Sequence, residues 1–175
     1  MSADPRYPIG KYERKDTLTA EDRRSAIEAV AATPARLREA VQGLSEEQLD
    51  TPYRQGGWTL RQVVHHLPDS HMNAYTRFKL ALTEDTPEVK PYDEAKWAEL
   101  IDSQETPIAT SLTLLDSVHD RWVRILRSLG AEDFAKAVRH SEHGVINLDA
   151  LLGLYAWHGR HHVGHITALR QSQGW

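Results

Sequence analysis

Four long segments with apolar residues at three- and four-residue spacing, most of them opened by a capping signal, predict an all-α chain: a four-helix bundle with a short hairpin and small extra helices. Only one connection between these segments is long. At 175 residues the chain reads as a single domain, residues 1–175. That length suffices to bury roughly 70% of the surface exposed by the unfolded form.

Residues 1–18 are polar, carry Pro5 and Pro8, and read as an extended arm laid on the surface. The first helix starts near Thr19 or Asp22, with Ile27, Val30, Pro34, Leu37, Val41 and Leu44 as its apolar stripe. Pro34 lacks an amide donor and is expected to kink this helix or restart it after a Thr33 cap. Ser45 with Gln48 forms a capping box for a short helical turn. The turn formers from Asp50 to Trp58 then break the chain, and Thr59 with Gln62 caps a second long helix with the stripe Leu60, Val64, Leu67, Tyr75, Phe78 and Leu82. Thr83 to Leu100 is a polar crossover with a short helix around Asp93 to Leu100, long enough to mark a functional loop or a change of topology. The third helix starts near Thr106 with Pro107 at its first position and ends before Gly130. Its stripe is Ile108, Leu112, Leu115, His119, Trp122, Leu126 and Leu129. After a short helix around Asp133, Val138 to Asn147 reads as a hairpin turning at His143 and Gly144. Asn147 or Asp149 opens the fourth long helix.

The formal net charge is −4, with no block of like charge, which argues against a nucleic-acid surface or a membrane-binding basic face. The first residues carry no apolar leader and no apolar run is long enough to span a bilayer, so a soluble, cytoplasmic protein is expected. There is no cysteine, which excludes disulfides, thiolate ligands and a cysteine nucleophile. Any metal must be held by histidines and carboxylates, and any thiol chemistry needs a thiol from outside.

The segment Trp157 to His165 (WHGRHHVGH) holds four of the ten histidines within the fourth helix. At about 100° per residue, His158 and His162 lie on the stripe of Leu148, Leu151, Leu152, Tyr155, Ile166 and Leu169. Their i, i+4 spacing stacks two imidazoles on one face, so that one ion can be gripped by both. His161 and His165 share the spacing but sit on the flank. On the second helix His66 borders the apolar stripe beside Gln62, Asp69, Ser70 and Asn73. With His158 and His162 it would make three neutral imidazoles, leaving a tetrahedral ion one open position. The alternative reading of each histidine is a hydrogen-bonded core residue or a solvated one.

Tyr7 to Tyr12 (YPIGKY), Leu49 to Leu80, Pro91 to Leu100 (PYDEAKWAEL) and Leu152 to Thr167 (LGLYAWHGRHHVGHIT) closely resemble the YfiT-like group of the DinB-like superfamily, which includes metal-dependent hydrolases and bacillithiol transferases. The resemblance runs over nearly the whole chain. It implies an up-down-down-up four-helix bundle, a homodimer, and a divalent metal, zinc or nickel, on three histidines. By the family pattern these are His66, His158 and His162. One departure is Pro68, a helix-breaking residue two positions from His66, which could shift that ligand.

An open position on such an ion can activate water for hydrolysis or hold a thiol as thiolate. Transfer of a low-molecular-weight thiol of the bacillithiol type to electrophilic small molecules is the leading reading, and it fits a chain without cysteine. The alternatives are a metal-dependent hydrolase and a non-enzymatic metal-binding bundle. Asp69, one turn from His66, is the candidate general base of the hydrolytic reading; its other readings are orientation of a ligand histidine and a plain surface carboxylate. His119 reads as a core histidine or a group behind the metal ligands. His161 and His165 read as surface residues or as the mouth of the site, Arg77 as a surface residue or a contact to an anionic substrate, and Trp122, Tyr155 and Trp157 as core aromatics.

Overall fold

The structure, a computed structural model, describes residues 4–175, so the first three residues of the predicted arm and domain lie outside the described residues. Thr19 opens α1 (Ala20–Val41): its hydroxyl accepts from the Asp22 amide at 3.1 Å, and the Asp22 carboxylate accepts from the Thr19 amide at 3.3 Å. The same reciprocal box opens α2 (Glu46–Leu49) at Ser45 and α3 (Leu60–Thr83) at Thr59. The crossover supplies β1 (Glu88–Val89) and two short helices, α4 (Glu94–Ala98) and α5 (Ile101–Glu105). α6 (Ile108–Ser128) follows, then a single 3-10 turn (Asp133–Ala135), the hairpin β2 (Ala137–His140) and β3 (Gly144–Asn147), and α7 (Leu148–Gln173). Asn147 caps α7 by accepting from the Ala150 amide at 2.9 Å.

Three expectations need correction, and one strand was not foreseen. Pro34 does not restart α1, and Thr33 is not a cap, because its hydroxyl donates to the Ala29 carbonyl at 3.0 Å inside a continuous helix. The missing Pro34 amide instead leaves the Val30 carbonyl, its i−4 partner, free for a side chain. The one short helix expected after Asp93 is two, because Leu100 is extended (φ −71°, ψ 154°) and interrupts the run. Pro107 precedes α6 in an extended conformation rather than occupying its first turn. Finally, β1 pairs in parallel with β2, making a three-stranded sheet of order β1-β2-β3 with the expected antiparallel hairpin as its other half.

Contacts between helices fix the connectivity. Arg23 meets Asp149, Thr33 packs at Gly159 and the Ala40 carbonyl accepts from Arg170, so α1 and α7 run parallel. His65 meets Ser111, His71 meets His119 and Phe78 meets Trp122, so α3 and α6 also run parallel. Glu28 pairs with Arg127 and Arg38 with Asp116, which makes α1 and α6 antiparallel; His66 beside His162 and His71 beside Tyr155 make α3 and α7 antiparallel. The bundle is up-down-down-up. At Gly159 α1 and α7 approach closely: a Cβ there would lie 2.5 Å from Thr33 Oγ1.

The core has two apolar halves. One gathers Val30, Phe78, Trp122, Leu148, Leu151 and Leu152; the other gathers Leu37, Leu60, Val64, Leu67, Leu115 and Ile166. On each of α3, α6 and α7 the residues between these halves include histidines, so a polar layer crosses the bundle at mid-height. Among the described residues no helix is long and apolar enough to cross a membrane.

The N-terminal arm is held more firmly than a surface strap. Tyr12 donates to the Ala150 carbonyl at 3.1 Å, Pro8 and Ile9 pack over Gly164, and Leu18 is buried. Asp149, which does not cap α7, anchors the arm's end: at 3% exposure it accepts from Arg23 Nε and Nη2, both at 2.7 Å, and from the Leu18 amide at 3.1 Å. Asp149→Ala leaves a guanidinium and an amide without their buried acceptor, and is expected to cost about 3–5 kcal/mol. The measurement is the urea midpoint, and an unchanged midpoint would show that the arm's anchor carries no stability.

Candidate metal centre

His66 projects from the first turns of α3, and His158 and His162 from consecutive turns of α7. Their ring centroids lie 4.5 Å (His158 to His162), 4.7 Å (His66 to His162) and 5.3 Å (His66 to His158) apart. One nitrogen from each can be chosen so that all three lie within 4.8 Å of one another, and His66 Nε2 is 3.3 Å from His158 Nε2. A tetrahedral ion at about 2.0–2.1 Å from each ligand nitrogen spaces those nitrogens by about 3.3–3.4 Å. The His66–His158 pair already has that spacing, so the donor set fits a divalent ion of imidazole preference. Pro68 does not disturb it, because α3 continues through that residue and His66 remains in the group.

The three rings are neutral at pH 7. Burial is the main cause: it pushes the His66 pKa down to about 4, and those of His158 and His162 well below the ordinary imidazole value, with neighbouring imidazoles adding to the effect. A neutral imidazole offers a lone pair, which is the form a metal requires. The histidines' burial therefore keeps the ligand set competent well below neutral pH.

The triad lines a cavity of about 430 Å³ whose other walls include Arg6, Arg54, Trp58, Glu94, Trp157, His161 and His165. Two of these correct the expectation of surface residues. His161 is 8% exposed and His165 4%, because the N-terminal arm and the loop before α3 cover the flank of α7, with Tyr53 stacked on His165 and the Arg6 carbonyl 3.3 Å from its Nε2. Asp69 is not among the residues lining the cavity. It is half-buried elsewhere on α3, where desolvation and then Asp102 raise its pKa to about 6. The carboxylate at the cavity is Glu94 of α4, with Oε2 3.9 Å from His66 Nε2 and a pKa raised by burial and by Asp93. Arg77 turns away as well, donating to the Lys90 carbonyl at 3.1 Å.

The remaining histidines of the layer have different fates. His65 is bonded to Ser111 Oγ at 2.7 Å and lies 3.0 Å from the Thr106 carbonyl, which makes it a satisfied core residue. His71 and His119 form a chain behind the triad: His158 Nδ1 lies 3.1 Å from His71 Nε2, His71 Nδ1 lies 2.7 Å from His119 Nε2, and His119 Nδ1 lies 2.8 Å from the Val30 carbonyl oxygen. The buried Nδ1 atoms of His161, His162 and His165, in contrast, find no partner among the described residues.

Fold and site together define a class: up-down-down-up helical bundles with three convergent histidines at a cleft between two antiparallel helices. The sequence pattern of the DinB superfamily matches residues 29–166, and the chain belongs to that superfamily. It is 54% identical over 172 residues, 98% of this chain and 99% of the relative, to a Bacillus cereus protein named "Putative metal-dependent hydrolase". A Bacillus thuringiensis subsp. konkukian protein of the same name is equally similar, 54% identical over 98% of this chain and 99% of its own. The solved structure of YfiT from Bacillus subtilis, described as "a probable metal-dependent hydrolase with an unusual four-helix bundle topology", superposes with a TM-score of 0.95 at 47% identity over 99% of both chains. The four-helix bundle protein TT2238 shares the fold alone, with a TM-score of 0.58 at 18% identity over 87% of this chain and 99% of its own.

Proposed function

We propose that this chain is a metal-dependent enzyme that holds one divalent ion, Zn2+ or Ni2+, on His66, His158 and His162, and transfers a low-molecular-weight thiol of the bacillithiol type to electrophilic small molecules. The observation that carries the reading is the convergence of three neutral imidazoles on an open cavity, since three protein nitrogens leave a tetrahedral ion one position for a molecule from outside. When bound, such an ion lowers the pKa of a thiol or a water at that position.

The chain's own residues do the rest. Trp58 and Trp157 wall the cavity with apolar surface and limit the entry of water, and a volume of about 430 Å³ accommodates a small electrophile beside a thiol. Glu94 takes the place foreseen for Asp69: its carboxylate lies at the cavity and accepts the proton that leaves the nucleophile. The sulfur is supplied by the cosubstrate, because the chain has no cysteine. The same geometry also serves hydrolysis, a reading favoured by Glu94 and by the names of the relatives. We further propose a cytoplasmic homodimer; the exposed apolar side chains Trp97, Leu100 and Ile101 support self-association.

The test is metal content of the purified protein, followed by turnover of a chromogenic electrophile with and without added thiol. About one ion per chain with thiol-dependent turnover supports transfer. Turnover that needs no thiol moves the assignment to hydrolysis, and metal without turnover in either assay to a binding role.

A further inference from the structure

Val30, His119, His71 and His158 belong to α1, α6, α3 and α7, so the hydrogen-bonded chain behind the triad visits all four long helices. Its polarity is dictated from one end. A carbonyl oxygen can only accept, so His119 must carry its proton on Nδ1 to bond Val30. A neutral His119 then presents Nε2 as an acceptor, which requires the proton of His71 on Nδ1. His71 Nε2 is in turn an acceptor, which requires the proton of His158 on Nδ1. The last ring is left with a bare Nε2, and this is the atom 3.3 Å from His66 Nε2 in the triad.

We propose that His71 and His119 are positioning residues that transmit the acceptor character of the Val30 carbonyl through two imidazoles and so hold His158 in the tautomer and orientation that present Nε2 to the metal. The proposal rests on the reading of His158 as a metal ligand.

Three further observations support it. The Val30 carbonyl is available because Pro34 has no amide to occupy it, so a residue that looks like a defect in α1 supplies the free end of the chain. The His71 ring is gripped edge-on by Trp122 at 83° and Tyr155 at 88°, which fixes the plane through which both its nitrogens act. His162, the other triad member on α7, has a buried Nδ1 with no partner among the described residues, so this support is specific to His158. A ligand histidine whose second nitrogen donates to a fixed acceptor keeps one tautomer and one ring orientation, and loss of such a partner typically lowers metal affinity about 10–100-fold.

The experiment uses the full chain, with Zn2+ alone as the probe in a chelator-competition titration, and reads the tautomer of His158 in the metal-free protein by long-range 15N–1H NMR. In the parent protein His158 is expected to be protonated on Nδ1. In His71→Leu the Zn2+ affinity is expected to fall about 10–100-fold and the His158 tautomer to become mixed. His71→Gln can place an amide oxygen near the position of the lost Nε2, and is expected to restore most of the affinity. A structural role alone would make the leucine and glutamine variants alike in affinity when both fold. Should His71→Leu fail to fold, His119→Leu, which removes the chain one ring further from the triad, is read in the same way. An Nε2-protonated His158 in the parent protein overturns the proposal, as does an affinity in His71→Leu equal to the parent's. Absence of Zn2+ binding by the parent protein would sink the metal reading itself, while the NMR measurement still decides the tautomer.

Discussion

His158→Ala is expected to bring the metal content of the purified protein from about one ion per chain to near zero, and to abolish turnover with it. Two ligands of a three-histidine set remain, on different helices, and the carboxylate at the cavity is a poor replacement for the third, because Glu94 sits on a short crossover helix with 60% of its side chain exposed. The loss is therefore expected to exceed the 10–100-fold that follows loss of a partner behind a ligand. His158→Ala also removes the donor to His71 Nε2, leaving a buried acceptor unpaired, at a cost of roughly 1–3 kcal/mol. Metal analysis alongside circular dichroism separates the two effects. A folded variant that retains stoichiometric metal would refute the assignment of the triad.

The bundle was legible because its signals are local. The pairs Ser45 with Gln48 and Thr59 with Gln62 each close within one helical turn, and the apolar stripes repeat within each helix. His158 and His162 were legible for the same reason, since i, i+4 spacing on an apolar stripe is a property of one element. His66 was weaker on the residues alone, because its meaning depends on α7 packing antiparallel against α3, a long-range fact that entered through family resemblance. Glu94 was out of reach: it arrives on the crossover, and nothing local distinguishes it from the other carboxylates of that stretch. His71 did leave a trace. It stands four residues from both Leu67 and Tyr75, at a core position, and a histidine there needs partners for two nitrogens. Pro34 misled because it acts through the bond it omits, and the group that uses the vacated carbonyl lies on α6.

Acidification is expected to unfold the metal-free protein between pH 6.5 and 4, beginning well above the range in which surface carboxylates titrate. Burial lowers the pKa of His66 and His119 to about 4, and those of His71, His158 and His162 well below the ordinary value of 6.5. In that window the unfolded chain binds protons that the folded chain refuses, so stability falls as pH drops. A fall from 6.5 to about 4 corresponds to about 3 kcal/mol for a single buried ring. The rings touch one another and their contributions do not add simply, yet even two are comparable with the 5–15 kcal/mol that holds a typical domain together. Asp69 opposes them: with its pKa raised to about 6, it favours the folded state as pH falls from 6 towards 3.8. Glu94, whose pKa is also raised, acts in the same direction, and two partly exposed carboxyls do not offset five buried imidazoles. Asp22 and Asp133, whose pKa values are lowered by hydrogen bonds, lose their contributions only below 3.8, outside the window. The check is the urea midpoint of the metal-free protein in steps from pH 8 to pH 4.5. A flat profile would mean that the histidine layer is hydrated and charges freely in the folded state. Added Zn2+ is expected to raise the midpoint at pH 7 and to keep raising it through most of this window, because burial keeps the ligand imidazoles of the folded protein neutral down to about pH 4.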